Sequence, residues 1–382
     1  MRSFGVEEEL ILVDAQTAAP VAAAPRILAS GRAGGDVALE AEIQQEMIEV
    51  VGDPCTTADE VTAGIAVGRR HADEAARAVG ARAVPLGTSP LAVTPHPNPA
   101  PRYAEMMRRY GVTARRSLTC GFHVHVAVDS PEEGVGVLDR IREWLPTLLA
   151  LTGNSPFWQG VDTGYASYRY DVWSRWPCAG PNPVFGTVDA YRQHEQSLLS
   201  TGTLLDAGML YFDARLSRHH PTVEVRVADI CRRAEDAATI ALLCRGLVES
   251  AALRWRAGEE PIGADVRLIR LATWRAALTG VRGEHVDLST GRSRGVAGAV
   301  EALLRYAEPG LAVSGDGDLV RAGVRSILRR GTGADWQREQ FARRGRLEDV
   351  VLASTTALPP DAPSPSDRQT RAGAHLAPAA VV

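Results

Sequence analysis

Phe4-Gly-Val-Glu-Glu-Glu-Leu-Ile-Leu-Val13 sets three carboxylates inside an apolar run. The flanking Val, Leu and Ile favour a β-strand. Side chains alternate faces along a strand, so Glu7 and Glu9 share one face and Glu8 takes the other. Two ionised carboxylates about 4 Å apart repel by roughly 4 kcal/mol at an effective dielectric near 20. Burying each costs several kcal/mol more. Such a strand needs cations beside it, unless it is a solvated edge whose charges deter aggregation.

Three further stretches repeat the pattern. Residues 43–51 read as a second strand holding Glu46 and Glu49, with Glu49 opposite Ile48 and Val50. Residues 121–128 alternate with period two, placing His123 and His125 on one face against Val124 and Val126. Residues 222–228 place Glu224 and Arg226 on one face and Val223, Val225 and Val227 on the other. Each piece alone is weak: a His-x-His strand is more often structural, and Glu-x-Arg is usually a cross-strand ion pair. Four such strands in one chain point to a sheet with one core face and one floor of carboxylates, imidazoles and guanidinium.

The remaining elements read outward from these strands. Residues 15–35 form a Gly/Ala-rich loop. Thr57-x-x-Glu60 is a capping box opening a helix to about residue 79. Residues 84–91 read as a short strand and 95–101 as a proline-rich loop. Ser130-Pro131 starts a helix that Gly153 ends. Residues 160–186 form a long aromatic loop, and loops of that length in a compact domain are usually functional. Residues 211–216 and 222–228 are strands joined by a tight turn. Helical patterns fill 234–255, 264–277, 299–306, 318–330 and 335–343. Strands come early and helices late, which predicts one α+β domain over 1–354 with a mainly antiparallel sheet. The Pro/Ala/Ser-rich stretch 355–382 is predicted to be a disordered tail.

Composition excludes several classes. The 382 residues are 45% hydrophobic and 23% charged, with net charge −4, so neither nucleic acid nor membrane is an expected partner. No apolar run reaches a transmembrane length, and the N-terminus does not read as a signal peptide. Five scattered cysteines without a Cys-x-x-Cys pair read as reduced thiols of a cytoplasmic protein. All 42 basic residues are arginine. The absence of lysine rules out a Walker A lysine, a pyridoxal Schiff base and the usual kinase lysine. If phosphate is handled here, arginine and metal ions must do it.

A carboxylate-rich set with one imidazole suits Mg²⁺ or Mn²⁺ better than zinc. Several such ions would bridge nucleotide phosphates. Arg226 and Arg215 would neutralise a transferring phosphoryl group. Arg169, Tyr165 and Arg175 in the aromatic loop either bind a substrate carboxylate or pack the loop on the sheet. The alternative is a zinc hydrolase using His123-x-His125, although such sites normally add further histidines or a lysine.

The segments Gly5-Val-Glu-Glu-Glu-Leu10, Glu46-Met-Ile-Glu49, Gly121-Phe-His-Val-His-Val126 and Thr222-Val-Glu-Val-Arg-Val-Ala-Asp229 resemble the glutamate–cysteine ligase type 2, or carboxylate-amine ligase, family. So do Ser155-Pro-Phe-Trp-Gln-Gly160, Asp162-Thr-Gly-Tyr-Ala-Ser-Tyr-Arg169 and Phe212-Asp-Ala-Arg215. The resemblance implies a glutamine-synthetase-like fold with a curved antiparallel sheet as active-site floor. It implies ATP-dependent joining of glutamate, or a similar acid, to an amine such as cysteine, and a homodimer. It carries metal-site roles to Glu7, Glu9, Glu49, Glu224 and His123, and to Glu42 where the family usually has Asp. It gives Arg226 a phosphate contact, makes Gln45 and His125 substrate or nucleotide contacts, and leaves Glu8 and Glu46 as bystanders. On this reading Glu8→Gln is tolerated, while Glu7→Gln or Glu9→Gln abolishes turnover.

Overall fold

The computed structural model describes residues 1–30 and 37–355. Apart from Thr355, the expected disordered tail lies outside the described residues, as does the stretch 31–36 of the first expected loop. In chain order the strands are β1 Phe4–Asp14, β2 Ala38–Ala41, β3 Met47–Val51, β4 Ala81–Val84, β5 Gly121–Ala127, β6 Phe157–Trp158, β7 Val161–Asp162, β8 Ala214–Leu216, β9 Thr222–Asp229, β10 Glu284–Asp287 and β11 Arg292–Gly295. Seven of them make one sheet in the order β2-β3-β1-β5-β9-β8, with β4 also paired to β1. Every pairing in it is antiparallel.

Alternation decides which way the sheet faces. Phe4, Val6, Phe122, Val124, Val126, Val223, Val225 and Val227 join one core with the helices Pro131–Ile141 and Ala234–Arg256. Burying each such side chain contributes roughly 1.5–3 kcal/mol, so this row goes inward. The residues between them, carrying the carboxylates and imidazoles, must then take the opposite face. The helix Ala234–Arg256 is buried almost all round from Ala237 to Ala252, as an apolar helix under a sheet should be. No helix among the described residues is long and apolar enough to cross a membrane.

The predicted elements recur with several corrections. The capping box of the helix Ala58–Arg77 is present: Thr57 Oγ1 accepts from Glu60 N, and Glu60 Oε2 accepts from Thr57 N. The second strand starts at Met47 rather than 43. Residues before it turn instead, with Gln45 N donating to His96 O. Of the strand expected over 84–91 only Val84 lies in a strand, β4, which spans Ala81–Val84. The single helix expected from 131 to 153 is two, Pro131–Ile141 and Leu145–Thr152. Pro146 has no N–H to donate back and its ring crowds the preceding turn, which suits it to the first turn of the second helix, where it stands. The aromatic loop contains a short helix, Tyr168–Trp173, capped by Ser167 Oγ on Tyr170 N. Helices Pro101–Tyr110 and Val188–Ser200 were not foreseen.

Candidate active site

Strand register brings the polar row together. Glu9 pairs with Glu49 across β1–β3, Glu7 with His123 across β1–β5, His125 with Glu224 across β5–β9, and Glu224 with Arg215 across β9–β8. His123 Nδ1 lies 3.1 Å from Glu7 Oε2, and His125 Nε2 lies 3.2 Å from Glu7 Oε1. Glu42 joins from the turn after β2, its backbone carbonyl held by Asn98 Nδ2 at 3.0 Å. Arg215 Nε donates to Glu224 Oε2 at 2.7 Å, and Arg226 Nη1 grips Glu224 Oε1.

Three ligand sets result: Glu7, Glu49 and His123; Glu7, His125 and Glu224; and Glu9, Glu42 and Glu49. Within each, one ligand atom per residue falls within 4.8 Å of the others. Burial, then the neighbouring Glu42, Glu7 and Glu9, push the Glu49 carboxyl well above its usual range. Burial and Glu9 likewise push Glu42 up to about 8. Burial also works to raise Glu7, but the imidazoles of His123 and His125 outweigh it and hold that carboxyl low. Glu224 is held at about 2: its burial is overcome by Arg226 and Arg215. Burial and Arg226 keep His123 on the neutral side, so its ring retains a lone pair.

These residues fit divalent cations. His123 Nε2 is buried with no hydrogen-bond partner, and the mutual repulsion of Glu9, Glu42 and Glu49 is what a cation would relieve. Carboxylate oxygens with an occasional imidazole are the donor set of Mg²⁺ or Mn²⁺.

Above the floor is a cavity of about 270 Å³. One wall is aromatic, formed by Tyr103, Trp173, Trp176 and Tyr211. Trp173 stacks on Tyr211 with ring centroids 4.6 Å apart, and Arg226 Cζ lies 5.7 Å from the Trp173 centroid. A second, mostly apolar cavity of about 350 Å³ opens at the end of the sheet where β1 and β9 begin and β3 and β5 finish, lined by Phe4, Val6, Pro54 and Pro221 among others. Gly5 lines this second cavity two residues before Glu7 on the same strand face, and Glu7 borders both cavities.

The model of the family described as "Glutamate-cysteine ligase family 2 (GCS2)" matches residues 3–353. The chain belongs to the glutamate–cysteine ligase family 2. It is accordingly a ligase. A protein of Paenarthrobacter aurescens provisionally named glutamate–cysteine ligase 2-1 is 51% identical over 368 residues, covering 93% of this chain and 95% of that one. A Streptomyces coelicolor protein provisionally named glutamate–cysteine ligase 2 is 47% identical, covering 92% and 98%. The fold is that of a solved Francisella tularensis glutamate–cysteine ligase in complex with AMP: TM-score 0.67, 13% identity, 94% of this chain and 88% of the other. A bifunctional glutathione synthetase from Pasteurella multocida gives 0.63 at 15% identity, covering 93% and 52%. The α+β, glutamine-synthetase-like class with an antiparallel floor stands.

Of the residues singled out from the sequence of this ligase, Glu7, Glu9, Glu42, Glu49, His123, His125, Arg215, Glu224 and Arg226 all line the main cavity. Gln45 does not: its amide donates to Pro97 O at 2.8 Å. Arg175 pairs with Asp171 at 2.7 Å, and Tyr165 packs on Tyr168 and Trp274. Arg169 is buried near Asp229, donating to Val227 O at 3.3 Å. None of the three lines the main cavity, so the packing alternative describes them. The zinc alternative finds no support, since His123 and His125 fall in different ligand sets, each completed by carboxylates. His125 belongs to a ligand set as much as His123 does. The aromatic wall was missed. The Trp and Tyr content of 160–186 hinted at Trp173 and Trp176, but Tyr103 lies on an unforeseen helix.

Proposed function

We propose that this chain is an ATP-dependent carboxylate-amine ligase acting through an acyl phosphate, with residues 1–354 as one catalytic unit. The observation that carries the reading is the run of three ligand sets sharing Glu7 and Glu49, with Arg226 and Arg215 at their edge. Bound Mg²⁺ or Mn²⁺ would supply charge neutralisation for a polyphosphate. The apolar cavity beside the floor suits a nucleoside, because an aromatic base gains from burial there.

In the first step a carboxylate oxygen of glutamate, or of a similar acid, attacks the γ-phosphorus of ATP. The bond from that phosphorus to the bridging oxygen breaks, ADP leaves, and an acyl phosphate forms. In the second an amine such as cysteine attacks the acyl carbon, phosphate leaves, and the nitrogen loses a proton to give the amide. The chain contributes position and charge, which is most of what phosphoryl transfer requires. Arg226, stiffened by Glu224 and Trp173, presents a planar fork to the transferring group. The aromatic wall excludes water that would otherwise hydrolyse the intermediate.

The test is to mix enzyme, Mg²⁺-ATP and glutamate with a panel of amines, then quantify ADP and amide. ADP above the ATPase background together with amide supports the reading. If no amine raises ADP, ligation of glutamate is refuted.

A further inference from the structure

Three residues border both cavities: Glu7, His125 and His220. The first two belong to ligand sets. His220 belongs to none, and its ring makes no hydrogen bond to another described residue. It sits in the turn between β8 and β9, which is pinned by Ser217 N donating to Thr222 O at 2.9 Å and Thr222 N to His220 O at 2.8 Å. Its ring stands edge-on to His125, centroids 6.3 Å apart and planes at 89°. A side chain held in this way is exposed yet placed at the common border of the apolar cavity and the acidic floor.

A nucleotide whose base fills the apolar cavity and whose terminal phosphate reaches the floor must carry its inner phosphates across that border. Those phosphates are anionic and rich in acceptors, whereas Glu7 beside them is an anion. A donor is needed on the open side, and an imidazole N–H to a phosphate oxygen is a charge-assisted hydrogen bond. We infer that His220 binds the inner phosphates of the nucleotide, coupling the nucleoside cavity to the ligand sets. This rests on the nucleotide reading given above.

Calorimetric titration of the Mg²⁺-loaded protein with ADP, adenosine and inorganic triphosphate separates the outcomes. His220→Ala should weaken ADP and triphosphate tenfold or more and leave adenosine within twofold. His220→Gln, which keeps a donor, should recover part of the loss. Mn²⁺ affinity, read by electron paramagnetic resonance, should not move. Unchanged ADP affinity overturns the inference. So does an equal fall for adenosine, which would mark a merely reshaped cavity, or a fall in Mn²⁺ affinity in step with ADP. If the unaltered protein binds Mg²⁺ but no ADP, the nucleotide reading fails and takes the inference with it.

Discussion

Glu8 and Arg69 form a two-pronged ion pair behind the floor, with Arg69 Nη2 2.6 Å from Glu8 Oε1 and Nε 2.8 Å from Oε2. Both side chains are essentially inaccessible to water. Arg69 also donates to the carbonyls of Cys231 and Arg232, just past the end of β9. One guanidinium on the helix Ala58–Arg77 thus ties β1 to the end of β9, the strands bearing Glu7, Glu9 and Glu224. The alternation argument sent Glu8 to the right face, and its buried ion pair argues against the tolerance expected of Glu8→Gln. A neutral amide would leave Arg69 as an unpaired buried charge. The expected cost is about 3–5 kcal/mol, measurable by urea unfolding. A loss under 1 kcal/mol would show the pair to be dispensable.

Glu7→Gln should be far more damaging to turnover than to folding. Glu7 contributes to two ligand sets and contacts both imidazoles. Removing its charge should lower kcat on the order of 10²-fold or more, as loss of one preorganised electrostatic group does. It should also weaken Mn²⁺ binding while leaving the circular dichroism spectrum intact. Normal turnover by Glu7→Gln or Glu9→Gln would break the assignment of the floor.

Metal binding should release protons. With Glu42 pushed up to about 8 and Glu49 also raised, the folded protein holds protons between pH 4.5 and 8 that the unfolded chain has lost. Stability of the metal-stripped protein should therefore fall as pH rises through that window. A divalent cation favours the ionised carboxylates, so its affinity and the Tm gain it brings should be larger at pH 8 than at pH 5.5. Titrating Mg²⁺ at pH 7 in two buffers of different ionisation enthalpy reads the released protons directly. Identical heats in both would contradict the arrangement.

Asp213 should add a second, local pH dependence of the same sign. It is fully buried, accepts from Tyr170 OH at 3.0 Å and leaves Oδ1 without a partner. Burial pushes its carboxyl up to about 7. Ionisation thus opposes folding, and stability is lost as pH climbs from about 4 to 7. Asp213→Asn removes the ionisation and keeps an acceptor for Tyr170. The variant should gain stability relative to the parent across that window, read as the difference in Tm at pH 5 and pH 8. A difference independent of pH would locate the titration elsewhere.

What the sequence revealed follows from the range of its signals. Period-two alternation is local, so it placed Glu7, Glu9, His123, His125, Glu224 and Arg226 on one face without any knowledge of pairing. It did not give register, and Glu7 opposite His123 or Glu9 opposite Glu49 emerges only from how the strands align. Gln45 rested on the resemblance alone, and it sits in the turn before β3 with its amide on Pro97. Arg69 could not be read at all. Its partner Glu8 is distant in the chain, and a buried arginine looks the same in sequence as a solvated one.

Every arginine lining the main cavity carries a guanidinium: Arg102, Arg215 and Arg226. Such a group stays protonated at any physiological pH and is a poor nucleophile. The chain has no side-chain amine anywhere. On the proposed acyl-phosphate route, an acyl group activated above this floor would meet no side-chain amine of the enzyme's own, and a ligase built this way would be protected from joining its substrate to its own side chains.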